Sequence, residues 1–179
     1  HELIRGEKGH FERTLRALKD AIAYGFEVQV NTTVMSLNKR EIGEIFRLLK
    51  NIGVKTWEVF FIVAVGRAYA NLEMSPSDYE AVCNFLYDAS FYGLNIRTVE
   101  CPFIRRVYLE RVEGLNRSKD DNLYLELKSS LYGYSASQGS TINKYGTLDG
   151  DGVIFISYNG LVYPSGLLNV PIGNVRTDN

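Results

Sequence analysis

The chain has 179 residues, which suits one ordinary domain or part of a larger one. Its 45% hydrophobic and 23% charged residues are a globular balance that argues against intrinsic disorder. A net charge of −1 excludes a global basic field for nucleic acid, no apolar run reaches membrane-span length, and 2 cysteines exclude a disulfide-dense scaffold.

In chain order, residues 9–24 read as a helix. Phe11, Leu15, Leu18 and Ile22 share one face, and Gly25 stops it. Residues 26–30 alternate apolar and polar, as a strand does, and the strand runs on to Val34. Asn38 as cap and Glu41 three residues later predict a second helix over 38–52. Residues 56–65 form a nearly continuous apolar run, the pattern of a strand covered on both faces. Ser75 followed by Pro76 opens a third helix, closed by Gly93. Residues 95–99 are a further strand, and Pro102 makes its continuation unfavourable. This alternation predicts parallel pairing through right-handed crossovers. The block opens on a helix, so a preceding strand is expected elsewhere in a longer parent.

Residues 104–151 read as a linker or long loop, with one short helix near 123–131. Two β-rich segments, 153–158 and 161–163, flank Asn159-Gly160, a hairpin signal in which both turn residues take positive φ. The tail, 164–179, reads as loop. The sequence holds neither a phosphate-binding loop nor a dinucleotide fingerprint. His1-Glu2-Leu3-Ile4-Arg5 starts like a zinc-binding H-E-x-x-H but ends on Arg, and the presence of only 2 histidines argues against a His-based triad or His cluster. Cys83 reads as a small buried hydrophobe and Cys101 as a strand-end residue; their spacing matches no zinc or redox motif.

Four strings in order carry a resemblance. The segment from His1 through Arg5-Gly6 and Gly9 to Phe11 resembles the H-[DE]-x-x-R-G-x-x-G-[ST]-F string of radical S-adenosylmethionine (radical SAM) enzymes. Val28 to Val34, with Asn38, looks like that family's fifth barrel strand, and Trp57 to Ala68 like its sixth. Gly160-Leu161-Val162-Tyr163-Pro164-Ser165-Gly166 and Gly173-Asn174-Val175-Arg176 are similar to the hairpin opening a SPASM or twitch auxiliary domain. They sit closest to the branch containing alternative haem biosynthesis and PQQ-synthesis-like enzymes.

The resemblance implies an α/β fold: the C-terminal half of a partial (βα)6 barrel over residues 1–103, the linker over 104–151, and the start of the auxiliary hairpin domain over 152–179. It implies a cytoplasmic iron–sulfur oxidoreductase that cleaves S-adenosylmethionine on a [4Fe–4S] cluster to a 5′-deoxyadenosyl radical and modifies a tetrapyrrole or peptide. A ferredoxin or flavodoxin is the implied reductant; neither nucleic acid nor membrane is an expected partner. Arg5 is a candidate for the S-adenosylmethionine carboxylate, against a solvated surface arginine. Asn31 and Thr33, two apart on one strand face, are candidates for its ribose or amino-acid moiety, against plain strand-end capping. Ile62 and Val63 are candidates for its adenine, against barrel core. Arg67, Tyr163 and Ser165 are candidates for the substrate side, against loop and hairpin packing.

The chain departs from the family pattern in three ways. The C-x-x-x-C-x-x-C cluster loop is absent, as are auxiliary-cluster cysteines after the second hairpin string, and Ser165 stands where many SPASM proteins have Cys. The resemblance therefore implies that cofactor and cluster belong to a full-length parent, with neither held by this chain alone and no catalytic or metal residue in it. The alternative reading is a non-catalytic α/β binding or assembly module derived from such a barrel, accepting a partner strand at an exposed sheet edge.

Overall fold

A computed structural model describes residues 2–64, 70–137, 139–142 and 150–178. A short helix α1 (Glu2–Arg5) leads into α2 (His10–Ala23). Next come β1 (Gln29–Val34), a 3₁₀ turn (Lys39–Glu41) and α3 (Ile42–Ile52), then β2 (Thr56–Phe61), α4 (Pro76–Ala89) and β3 (Asn95–Val99). The three strands form one parallel sheet in the order β1-β2-β3. Alternating strands and helices of this length leave the chain no shorter route between parallel neighbours.

The sheet is packed on one side. In β2, Trp57, Val59 and Phe61 are buried, and Thr56, Glu58 and Phe60 are half-buried. The buried set meets Phe46 and Leu49 of α3 and Phe85 and Leu86 of α4 in a single core, with the Phe46 and Phe85 rings edge to face at 6.3 Å. Trp57 Nε1 donates to Thr32 Oγ1 on the neighbouring strand at 3.0 Å, so the buried indole keeps a partner. Among the described residues the helices cover one face of the strand; Glu58 interrupts the apolar run on the other, and the strand ends at Phe61, short of the expected Val65.

Ser75 caps α4 as its sequence indicates. Its side chain accepts the Asp78 N–H, Asp78 reaches back to the Ser75 N–H, and Pro76 occupies the first turn. Asn38 behaves otherwise. Its side chain turns back to the strand, accepting the Met35 N–H at 2.8 Å and donating to the Thr33 carbonyl at 2.9 Å, which leaves no side-chain cap for the helix after it. A local turn competes with capping here and wins.

Residues 104–151 carry more order than a linker. Helix α5 (Phe103–Val112) and helix α6 (Asn122–Ser129) pack against α4, and Ile104, Val107, Leu123, Tyr124 and Leu127 enter the core. The short helix expected near 123–131 is α6. The apolar stripe of α5 is thin because its other positions form ion pairs: Arg106 pairs with Glu80 and Glu110, and Arg111 with Asp88. Asp88 also accepts the Tyr124 hydroxyl at 2.6 Å, and the Arg111 guanidinium lies 4.7 Å over the Tyr87 ring. Close approach of α3 and α6 depends on Gly43, where a Cβ would lie 2.9 Å from Ser130 Oγ.

A second sheet is antiparallel: β4 (Phe155–Ile156), β5 (Leu161–Tyr163) and β6 (Gly173–Asn174), in that order. The hairpin is real, but its turn differs from expectation. Gly160 takes φ +90°, and Asn159 has no positive φ. Gly160 N–H donates to Ser157 O and Ser157 N–H to Leu161 O, both at 2.9 Å, a four-residue loop closed by one left-handed glycine. The tail is no plain loop either, because β6 returns beside β5. Val175 N–H donates to Gly160 O at 2.9 Å and the Arg176 guanidinium to Tyr158 O at 2.9 Å.

Two predictions follow from this packing. Arg111→Ala strands Asp88 half-satisfied among three helices and lowers stability in urea unfolding by about 3 kcal/mol. Burial alone would raise the Asp78 carboxyl, but hydrogen bonds from Lys39 and Ser75 and the Lys39 charge hold it below its ordinary 3.8. Its unfolded form therefore binds the proton first, and stability falls as pH drops through about 4 and below. Asp78→Asn flattens that acid limb, which pH-dependent unfolding curves measure.

Candidate functional site

Register places Gln29, Asn31 and Thr33 of β1 on the face opposite the helices, in line with Thr56, Glu58 and Phe60 of β2 and Asn95, Arg97 and Val99 of β3. The hydrogen bonds agree: Gln29 Nε2 donates to Asn31 Oδ1 at 2.8 Å and to Glu58 Oε2 at 3.0 Å. One row across this open face reads Asn31, Glu58, Arg97, an amide, a carboxylate and a guanidinium on adjacent strands. Among the described residues no ion pair joins Glu58 to Arg97. Sequence reasoning missed both, because Glu58 lay inside an apolar run; its one polar interruption was the available signal.

Thr33 and Asn31 lie toward the C-terminal end of β1 and are exposed. Parallel sheets offer ligands that edge, where loops leave the strands. Asn31 uses its carbonyl oxygen on Gln29 and keeps its amide N–H groups for another acceptor.

Past β2 the chain is braced. Ile62 N–H donates to Val34 O at 3.2 Å, and Ile62 O accepts the Tyr79 hydroxyl at 3.2 Å. Ala64 N–H donates to Glu73 Oε1 at 2.9 Å, and Ser36, after β1, bonds to the Asn71 and Leu72 carbonyls. The segment following β2 thus folds back over the end of β1 and makes a rim. Val63 is half-buried in that rim, and the backbone partners just given belong to its neighbours. Tyr79 stacks on Phe61 at 5.5 Å; burial pushes its hydroxyl up, with Glu73, Cys101 and Cys83 adding to the shift, so it remains a donor.

The other candidates are placed as follows. Arg5 ends α1 on the surface, and no hydrogen bond among the described residues joins it to β1 or β2. Glu2, not singled out from the sequence, braces the same string: its Oε1 accepts the Gly9 N–H at 2.7 Å and its carbonyl the Gly6 N–H at 2.7 Å. His1 and Arg67 lie outside the described residues. Tyr163 pairs with Phe155 across the hairpin, ring centroids 6.0 Å apart. Ser165 Oγ accepts the Leu168 N–H at 3.2 Å and the Leu167 N–H at 3.4 Å, closing a turn while its own hydroxyl proton stays available. The structure therefore brings Asn31, Thr33, Ile62 and Val63 toward the strand-end side of the parallel sheet and places Tyr163 on the second sheet, with Ser165 in the turn that follows it.

Tyr79→Phe removes the brace on the Ile62 carbonyl. It lowers stability by about 1 kcal/mol and speeds amide exchange over residues 62–64. Unchanged exchange there would mean the rim is held without Tyr79.

No profile of a known protein family matches the chain, and no solved structure matches it. Curated proteins do. A Methanosarcina barkeri protein named AdoMet-dependent heme synthase is 32% identical over 98% of this chain and 47% of its own length. Proteins of the same name from Nitratidesulfovibrio vulgaris and Oleidesulfovibrio alaskensis are each 32% identical over 98% of the chain, which covers 45% and 42% of them. The chain is thus similar to these AdoMet-dependent heme synthases over nearly all of its own length and spans about half of theirs.

Proposed function

We propose that the chain forms part of the wall of a partial (βα)6 barrel in a radical SAM enzyme of haem biosynthesis, and that the rim of its parallel sheet takes part in holding S-adenosylmethionine. The observation that supports this is the exposure of Asn31 and Thr33 on one face toward the C-terminal end of β1, in a chain similar to proteins named AdoMet-dependent heme synthase. Sequential strand order with the helices on one side supports the barrel reading, since a barrel wall winds in that way.

The rim suits S-adenosylmethionine. The Asn31 amide and Thr33 hydroxyl would take a ribose or amino-acid end, the half-buried apolar surface of Ile62 and Val63 would take adenine, and the Arg5 guanidinium would take a carboxylate. Ile62 contributes mainly surface, because its backbone groups already serve Val34 and Tyr79. The residues do not suit an iron–sulfur cluster. Both cysteines are buried against each other, and no group of three metal-ligating side chains occurs among the described residues. Cluster ligands would come from elsewhere in a longer protein. When bound, S-adenosylmethionine would supply one-electron chemistry, and the part of Asn31, Thr33, Ile62, Val63 and Arg5 would be to bind and orient it.

The substrate is a tetrapyrrole or a peptide. Arg67 would meet its carboxylate, with Tyr163 and Ser165 on the second sheet as further contacts. A ferredoxin or flavodoxin would deliver the electron, in the cytoplasm. No described helix is long and apolar enough to cross a membrane. A non-catalytic assembly module is the second reading, supported by the exposed apolar side chains of Val153, Ile154, Val170 and Ile172.

Titration of the isotope-labelled chain with S-adenosylmethionine separates the two. Enzyme ancestry predicts weak binding with amide shifts at residues 31–33 and 62–64, lost in Asn31→Ala/Thr33→Val. Shifts confined to residues 150–178, or none at all, overturn the assignment of the rim. After anaerobic addition of iron and sulfide, the chain alone yields no stable cluster and no 5′-deoxyadenosine; turnover by the chain alone overturns the assignment of the cluster to other segments.

A further inference from the structure

Cys83 lies in the middle of α4 and Cys101 just past β3, 18 residues further on. Their Sγ atoms are 3.3 Å apart. Cys83 is fully buried; Cys101 is 7% exposed. The pair has an inner and an outer member, joined by a hydrogen bond in which either sulfur can be the donor. That contact, then burial, pushes the Cys83 thiol well up.

The outer member stands at a corner of the chain. Glu100, immediately before Cys101, has φ +57°, the one left-handed non-glycine residue among those described. Cys101 O accepts the Ile104 N–H at 3.2 Å, so the residue also opens the first turn of α5. Cys83 is enclosed instead, with Val82, Phe85 and Leu86 around it wholly buried.

We propose that Cys83 and Cys101 are a site of reversible covalent modification, closing to an intramolecular disulfide with a low-molecular-weight disulfide as oxidant. The Cys101 sulfur, as thiolate, attacks one sulfur of the small disulfide. The small S–S bond breaks, one small thiol leaves, and Cys101 holds the other half as a mixed disulfide. Cys83 then gives up its proton and attacks Cys101 Sγ, and the second small thiol leaves. In sum, two cysteine thiols lose two protons and two electrons, and one small disulfide gains them as two thiols. Closing from contact to a bond of about 2.05 Å draws the sulfurs together by roughly an ångström, which the 99–104 corner takes up. Tyr79 adjoins that corner: its ring packs 6.2 Å from that of Phe103, and its hydroxyl donates to the Ile62 carbonyl at the rim. The crosslink itself does not depend on the proposed function.

The test equilibrates the 179-residue chain in glutathione redox buffers, quenches with acid, and reads intact mass and a peptide map, with circular dichroism confirming that the fold persists. The expected result is loss of about 2 Da with a linked Cys83–Cys101 peptide, restored by dithiothreitol. Cys83→Ala traps a glutathione adduct on Cys101, and Cys101→Ala gives no adduct in the folded chain. Oxidised and reduced chains differ in amide exchange over residues 99–104. The proposal is overturned if the folded chain stays reduced in oxidising buffer, if glutathione adducts accumulate on Cys101 without crosslinking, or if the link forms only once urea has unfolded the chain.

Discussion

The one-sided packing of the parallel sheet governs the rest of this molecule. Trp57, Val59 and Phe61 face the helices, and there the rings of Phe46 and Phe85 lock α3 to α4 over the strands. Strand side chains alternate with a period of two, so committing those three to the core commits Asn31, Glu58 and Arg97 to the other side. The open polar face is the geometric complement of the core. A one-residue register slip of β2 would bury Glu58 and expose Trp57, a cost far beyond marginal stability.

The helical layer is held differently. Between α4, α5 and α6 the contacts are mixed, with aliphatic side chains beneath and the Arg111, Asp88 and Tyr124 network at the boundary. Arg47 extends this logic by donating to the Ser129 and Ser130 carbonyls, closing the C-terminal end of α6 with a positive charge. Segments with too few apolar residues to pack on hydrophobicity alone are thus fastened by directed polar contacts.

That difference explains what was legible in the sequence. The strands, α3 and α4 announced themselves through periodicity, and Ser75-Pro76 announced a helix start. Helix α5 did not, because three of its positions, Arg106, Glu110 and Arg111, serve as ion-pair partners and dilute its apolar stripe. Asn38 reads as a helix cap and Asn159-Gly160 as a tight turn, but several local hydrogen-bond patterns satisfy such residues and sequence does not choose among them. The strand-end placement of Asn31 and Thr33 followed from local pattern. The contact between Cys83 and Cys101 did not, since it depends on how the α4–β3 crossover brings a helix centre against a strand end. Glu58 and Arg97 were hidden for the same reason: their shared row exists only once register is set.

The two sheets also close very different lengths of chain. The antiparallel pairs join residues about ten apart, and each parallel pair must first lay down a whole helix. Loop closure and contact order then predict that residues 150–178 organise early and locally, with the Arg176 to Tyr158 bond sealing a small unit before the parallel sheet has found its register. The order of assembly would run opposite to the order of the chain.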